Sequence, residues 1–194
     1  MLKAFKQDGK VPLLASNVVI NKYNMKDIPL IVEALSRDGY WINLCTIQKT
    51  DNYLKHFSKT DIKKGYLFTD SDKKDLAELS DTLMEMKDKG YKISVPYQYL
   101  KDIPLYGINS DWQCRNYYQL RIDSDGALML CNEFRMKKNE FNVENLDSNV
   151  YTTYIEQWYK ERKEKNCDGC YWSCFVQAKD NIENNQLEFH YVEN

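Results

Sequence analysis

The chain has 194 residues, 43% of them hydrophobic and 29% charged, enough for one large domain or a domain with an appendage. Lys and Arg total 27 against 29 Asp and Glu, and this net charge of −2 removes most of the electrostatic basis for nucleic-acid or anionic-membrane binding. No run approaches the roughly 18–20 apolar residues of a membrane span. Met1–Asp8 has no apolar segment of a secretory signal, so a cytoplasmic chain is expected.

Leu14–Ile20 is a mostly apolar, β-branched run after Pro12 and predicts a buried strand. Ile28, Ile31, Val32 and Leu35 follow at helical spacing and stop at Gly39. Trp41–Ile47 predicts a second buried strand, and the polar stretch Gln48 to Lys64 a loop with short helical pieces. Leu76, Leu79, Leu83 and Met86 mark one face of a helix from about Asp72 to Lys89, with Asp70 and Ser71 to cap its start and Gly90 its end. Tyr91–Val95 predicts a third strand. Strand–helix–strand–helix–strand is the order of right-handed βαβ units on a parallel sheet, here a small one with exposed edges.

Turn formers from Pro104 to Ser110 place a domain boundary there, between residues 1–107 and 108–194. Beyond it the apolar period becomes two: Tyr118, Leu120 and Ile122 alternate with Gln119 and Arg121. Asp123-Ser124-Asp125-Gly126 supplies an Asp-Gly turn, and Ala127–Cys131 returns as the partner strand of a hairpin. Tyr151, Tyr154, Ile155 and Trp158 predict a helix.

Of the six cysteines, Cys45 stands alone, and Cys114, Cys131, Cys167, Cys170 and Cys174 all lie in the last part of the chain. Clustered cysteines in a reducing compartment more often bind metal than form disulfides. Cys167 and Cys170 can grip one centre from a single turn. Cys114 and Cys131 bracket the hairpin, whose ends are brought together, so four thiolates can converge. Thiolates suit iron–sulfur clusters and zinc alike, and the spacing alone leaves both open, with unligated cysteines as the third reading.

Cys114, eleven residues, Gly126, four residues, Cys131, then Cys167-x-x-Cys170, resembles the C-x(9–15)-G-x4-C … C-x2-C pattern of the auxiliary-cluster domains, SPASM and the shorter Twitch, of radical S-adenosylmethionine (SAM) enzymes. The full SPASM pattern continues C-x2-C-x5-C-x3-C, whereas this chain has C-x2-C-x3-C and no cysteine after Cys174. The resemblance is therefore to a single-cluster Twitch domain. Upstream, Asn17–Asn24, the helix Ile28–Val32 and Gly39–Leu44 resemble the fourth and fifth βα units of the radical SAM partial barrel, with Asn24 where that family often carries an asparagine. Asp75–Tyr99 would then hold the fifth helix and sixth strand.

The resemblance implies an α/β fold: half of a partial (β/α)6-type barrel, followed by a small α+β Twitch-like domain with a β-hairpin and a Cys-rich loop. It implies an auxiliary [4Fe-4S] cluster on Cys114, Cys131, Cys167 and Cys170, with Cys174 as an additional candidate. In the complete enzyme it implies SAM, a second [4Fe-4S] cluster, radical-based modification of a peptide or small molecule, and an electron donor such as flavodoxin or ferredoxin. The C-x3-C-x2-C motif that binds the SAM cluster is absent from the sequence, as are the first three βα units. The chain is thus expected to need a missing N-terminal half or a partner subunit, and not to cleave SAM alone. The competing expectation is a non-catalytic zinc- or iron–sulfur-binding interaction or electron-transfer module.

Asn17, Asn21 and Asn43 are polar residues within or at the ends of apolar strands. A buried amide left unpaired costs about 1–3 kcal/mol, so each needs a partner: SAM or substrate, as the resemblance implies, or an ordinary strand-end hydrogen bond. Cys45 faces either a cavity or the core. The aromatic residues around the cysteines either carry electrons or form an apolar shell. Asp123–Gly126 looks like the start of a calcium loop, but later ligand positions hold Leu and Met, which makes it a turn. His56 and His190 belong to no triad-like arrangement.

Overall fold

The computed structural model describes residues 13–47, 64–108, 112, 114, 118–131, 134–135, 141–164 and 170–183. Contacts group the chain into two compact units: Met1–Lys49, Ile62–Trp112 and Cys170–Asn194 form the first, Thr50–Asp61 and Gln113–Gly169 the second. It is a mixed α/β protein whose described residues carry five α-helices and two small sheets. Among the described residues no helix is long and apolar enough to cross a membrane.

In the first unit, β1 (Ala15–Ile20) runs parallel to β2 (Trp41–Thr46), from Ala15 opposite Trp41 to Ile20 opposite Thr46. The crossover is α1 (Ile28–Arg37), which buries Ile28 and Val32 against the sheet side that holds Ile42 and Leu44. It ends where Gly39 takes φ +85°, a left-handed conformation that favours glycine. The second crossover, α2 (Lys73–Asp88), buries Leu76, Leu79 and Leu83 and is followed by Gly90 at φ +86°. Each fully buried aliphatic side chain contributes about 1.5–3 kcal/mol. The start of α2 is organised one residue earlier than Asp70: Thr69 and Asp72 form a reciprocal capping box around the 3-10 turn Asp70–Asp72.

The third strand is shorter than its composition suggests. Ile93 makes a single parallel bridge to Ile42, with Ile42 N–H donating to Lys92 O at 2.7 Å and Ser94 N–H to Ile42 O at 2.9 Å. Pro96 then ends it, having no amide to pair, and leads into α3 (Tyr97–Tyr106). The described strands form no barrel, because closure requires each strand of a sheet to be paired on both sides, and in the parallel sheet β2 is the strand that has both neighbours. Burial along β1 alternates with period two, so this strand is half-buried.

Pro104, placed by sequence in a boundary turn, lies inside α3. A helical proline leaves the carbonyl four residues earlier without its N–H. Here that carbonyl belongs to Leu100, and the buried Ser80 hydroxyl donates to it at 2.7 Å. The helix therefore continues through the proline. A fifth helix, α5 (Ser173–Glu183), belongs to the first unit and touches β2 and α3.

In the second unit, β3 (Arg121–Ile122) pairs antiparallel with β4 (Leu128–Cys131), and β4 with β5 (Phe134–Arg135). The hairpin stands where the alternating pattern places it, but its ladder begins only at Arg121. Leu120 and Ile122 stay more than two-fifths exposed, so the apolar face of β3 gains no covering layer that would extend the pairing. The helix α4 (Ser148–Glu164) buries Tyr154 and Trp158, and the Tyr154 hydroxyl donates to Met129 O. The stretch 48–63, His56 and His190 lie outside the described residues.

Candidate metal centre and the neighbouring sheet face

Gly126 fixes the turn that precedes β4. It takes φ +85°, and a Cβ there would stand 3.1 Å from the Asn142 side chain. Gly126 N–H donates to Asp123 O at 2.9 Å and Asp123 N–H to Ala127 O at 2.8 Å, closing the turn on itself. Ala127 also bridges Asn142, and Leu128 N–H donates to Phe141 O at 3.0 Å. β4 thereby has neighbours on both edges, and it carries Cys131 as its last residue. Cys114 is buried in the same unit. Among the described residues the pairing of β3 with β4 begins at Arg121, so the described ladder does not join Cys114 to Cys131.

Cys170 is half-buried and belongs to the first unit, immediately before α5, while Cys167 lies outside the described residues. Among the described residues no group of three or more His, Cys, Asp or Glu side chains converges as a metal site.

Tyr171, beside Cys170, is wholly buried. Its ring stacks on Tyr99 at 4.9 Å and 9°, meets Tyr106 at 5.0 Å, and stands edge-on to Trp112 at 5.6 Å. Its hydroxyl donates to Tyr99 O at 3.1 Å and Gln98 O at 3.3 Å. Burial raises this phenol far above the ordinary tyrosine range. Main-chain carbonyls cannot take the proton that an oxidised phenol must release. This geometry makes Tyr171 a packing residue in an aromatic cluster with Tyr99, Tyr106 and Trp112. Tyr99 is also fully buried, with its phenol raised by that burial, and its hydroxyl accepts from Thr46 N–H at 2.8 Å. One stack thus joins the residue after Cys170 to the end of β2.

On the opposite side of the sheet from α1, the asparagines pair with protein groups. Asn43 Nδ2 donates to Asn17 Oδ1 at 2.9 Å, and Ser173 Oγ donates to Asn43 Oδ1 at 3.0 Å. Asn21 stands in the turn after β1, where its Oδ1 accepts from Tyr23 N–H at 2.9 Å. Asn24 Oδ1 accepts from Asn21 N–H at 2.8 Å, and Asn24 Nδ2 donates to Val19 O at 2.8 Å. Asn21 and Asn24 lock the strand end, while Asn17 and Asn43 form a polar row on one sheet face. Cys45 follows Asn43 on that same face, packed with its Sγ 3.9 Å from Val18 O. Burial, and then the nearby Cys174, push the Cys45 thiol up.

No family model, no curated protein and no solved structure matches this chain. Tyr171 is among the aromatic residues that the sequence places around the cysteines, whereas nothing in the sequence singles out Ser173 or Tyr99 as site neighbours. Tyr171, Phe175 and Val176 do fall at helical spacing, a legible sign of α5, but nothing local tells which surface that helix covers.

Proposed function

We propose that this chain is the C-terminal part of a radical SAM enzyme, comprising half of the partial barrel and a Twitch-like domain that binds an auxiliary [4Fe-4S] cluster through Cys114, Cys131, Cys167 and Cys170. The observation that carries the reading is the spacing C-x11-G-x4-C … C-x2-C, in which Gly126 occupies a left-handed turn that a glycine is needed to make. The parallel βαβ order of β1, β2 and the Ile93 bridge is in keeping with the barrel half. Thiol donors shielded by buried aromatics suit a cluster: Cys114 is itself buried, and Cys170 leads directly into the Tyr171 stack.

When bound, such a cluster supplies one-electron chemistry next to a substrate radical. The chain's own residues hold and shield it. Tyr171 fixes the backbone beside Cys170, and the β4 pairing fixes that of Cys131. In the complete enzyme the partner is the N-terminal half that binds SAM and the first cluster, and the substrate a peptide or small molecule. A flavodoxin- or ferredoxin-type protein supplies electrons.

Anaerobic purification followed by iron, sulfide and zinc analysis tests the assignment. Iron and sulfide near four each per chain are expected for one [4Fe-4S] cluster, and Cys114→Ala or Cys170→Ala should abolish their retention. A colourless protein with stoichiometric zinc and no sulfide would replace the cluster with a structural zinc site. Iron content unchanged in both variants would refute the ligand set.

A further inference from the structure

Cys174 lies in the first turn of α5, one residue after Ser173, whose hydroxyl is held on Asn43 at 3.0 Å. Side chains alternate along a strand, so Cys45 shares the face of Asn43 and stands one pleat further along it. The Ser173–Asn43 bond therefore pins the start of α5 over the stretch of β2 that presents Cys45. The end of that strand is held by Thr46 N–H donating to the Tyr99 hydroxyl at 2.8 Å, and burial, then the neighbouring Cys174, push the Cys45 thiol up. Their exposures differ. Cys174 is exposed and Cys45 is 9% exposed. An accessible thiol at a helix N-terminus, beside a second thiol shielded from solvent, is the arrangement of a peroxidatic and a resolving cysteine.

We propose that Cys45 and Cys174 are a redox-modification site that closes to an intramolecular disulfide when the chain meets a hydroperoxide. The Cys174 thiolate attacks the peroxide oxygen, giving a sulfenic acid and releasing hydroxide. The Cys45 sulfur then attacks the Cys174 sulfur, the S–S bond forms and the S–O bond breaks. Hydroxide leaves and takes up the Cys45 proton as water. Two thiols lose two electrons and hydrogen peroxide is reduced to two waters. A dithiol reductant reverses the bond by exchange. Closure clamps α5 to the end of β2, beside the Asn17–Asn43 row. The proposal does not depend on the auxiliary cluster, since neither cysteine belongs to the proposed ligand set.

The full chain, purified anaerobically without added iron, is treated with hydrogen peroxide, alkylated and mapped by mass spectrometry under non-reducing conditions. A linked pair of peptides is expected, lighter by two hydrogens, with fragmentation placing the bond at Cys45 and Cys174. Cys174→Ser keeps the buried thiol and should give no linkage to Cys45. Cys45→Ser should leave Cys174 as a sulfenic acid, captured by dimedone several-fold more than in the wild type. Linkage of Cys45 that persists in Cys174→Ser would overturn the proposal, as would a Cys45 that stays alkylatable while Cys174 oxidises. Should Cys45→Ser fail to fold, the wild-type and Cys174→Ser maps decide it alone.

Discussion

Tyr171 separates the contribution of a ring from that of its hydroxyl. The side chain is fully buried among Tyr99, Tyr106 and Trp112, and its hydroxyl donates to two carbonyls of α3. Those carbonyls also lie within the helix's own ladder of i→i+4 bonds, so Tyr171→Phe strands no acceptor. It removes one net hydrogen bond, about 0.5–1.5 kcal/mol. Tyr171→Ala deletes the ring and leaves a cavity walled by aromatics, and substitutions of that size cost about 3–5 kcal/mol. Urea titration of the two variants, with proteolysis of residues 170–183 as a local probe, measures both effects. The Ala variant should expose α5 to protease well before the rest of the first unit unfolds, while the Phe variant should keep it protected. On the proposed ligand assignment, the Ala variant should also lose iron. If Phe proved as costly as Ala, the hydroxyl would be the anchor. If Ala cost under about 1 kcal/mol, the stack would not hold α5 in place.

Ser80→Ala should cost about 1–3 kcal/mol by orphaning the Leu100 carbonyl, and much less in a Pro104→Ala background, where the restored amide takes that carbonyl; additive losses in a double-mutant cycle would refute the compensation. Burial alone would raise the Asp72 carboxyl, but hydrogen bonds from the Thr69 side chain and backbone, together with the Lys22 ammonium 3.1 Å away, hold it below the usual aspartate range. Its stabilising contribution is therefore complete above the unfolded aspartate value and lost as pH falls through the depressed one. Asp72→Asn should flatten that acid limb of a stability–pH curve, and an unchanged limb would remove Asp72 as its source. Gly126→Ala should destabilise the hairpin by about 1–2 kcal/mol, since alanine pays the left-handed penalty and its Cβ crowds Asn142; a thermal midpoint equal to wild type would contradict the turn geometry.

Where a residue's neighbours in sequence decide its structure, the sequence was readable. Apolar period and a terminal glycine delimit α1 and α2, and Gly39 and Gly90 take the positive φ expected of them. The Asp-Gly turn has the same local logic. Reading fails where a distant residue changes the outcome. Pro104 speaks for a turn until Ser80, on another helix, supplies the bond that proline removes. The third strand has the right composition but only one rung, because Pro96 cuts it short. For the candidate site, spacing selects the cysteines and Gly126, but not the surface that α5 covers. The Ser173–Asn43 bond spans most of the chain, and neither residue carries a mark of the other. Asn17 and Asn43 were legible as polar residues needing partners; that they would satisfy one another was not.

The two edges of the parallel sheet differ chemically, and this difference decides which of them could pair with another strand. Beyond Ile93, the edge is sealed by Lys87, whose ammonium donates to Ile93 O at 2.7 Å and Val95 O at 3.0 Å and stands 5.2 Å from the Tyr97 ring. Burial lowers this lysine's pKa, so it is a costly group to place there, and it occupies the carbonyls another strand would use. At β1 the Leu14 and Ile20 carbonyls accept from Trp41 and Ile47, which turns the main-chain groups of Ala15, Asn17 and Val19 outward. Among the described residues only the Val19 carbonyl on that edge has a partner, Asn24. Among the described residues no lysine, proline or bulge blunts it. Successive right-handed βαβ units here step from β1 to β2 to Ile93, so a preceding unit would lie on the outer side of β1. Among the described residues, β1 is therefore the open edge of this sheet and the one on which a further strand could pair.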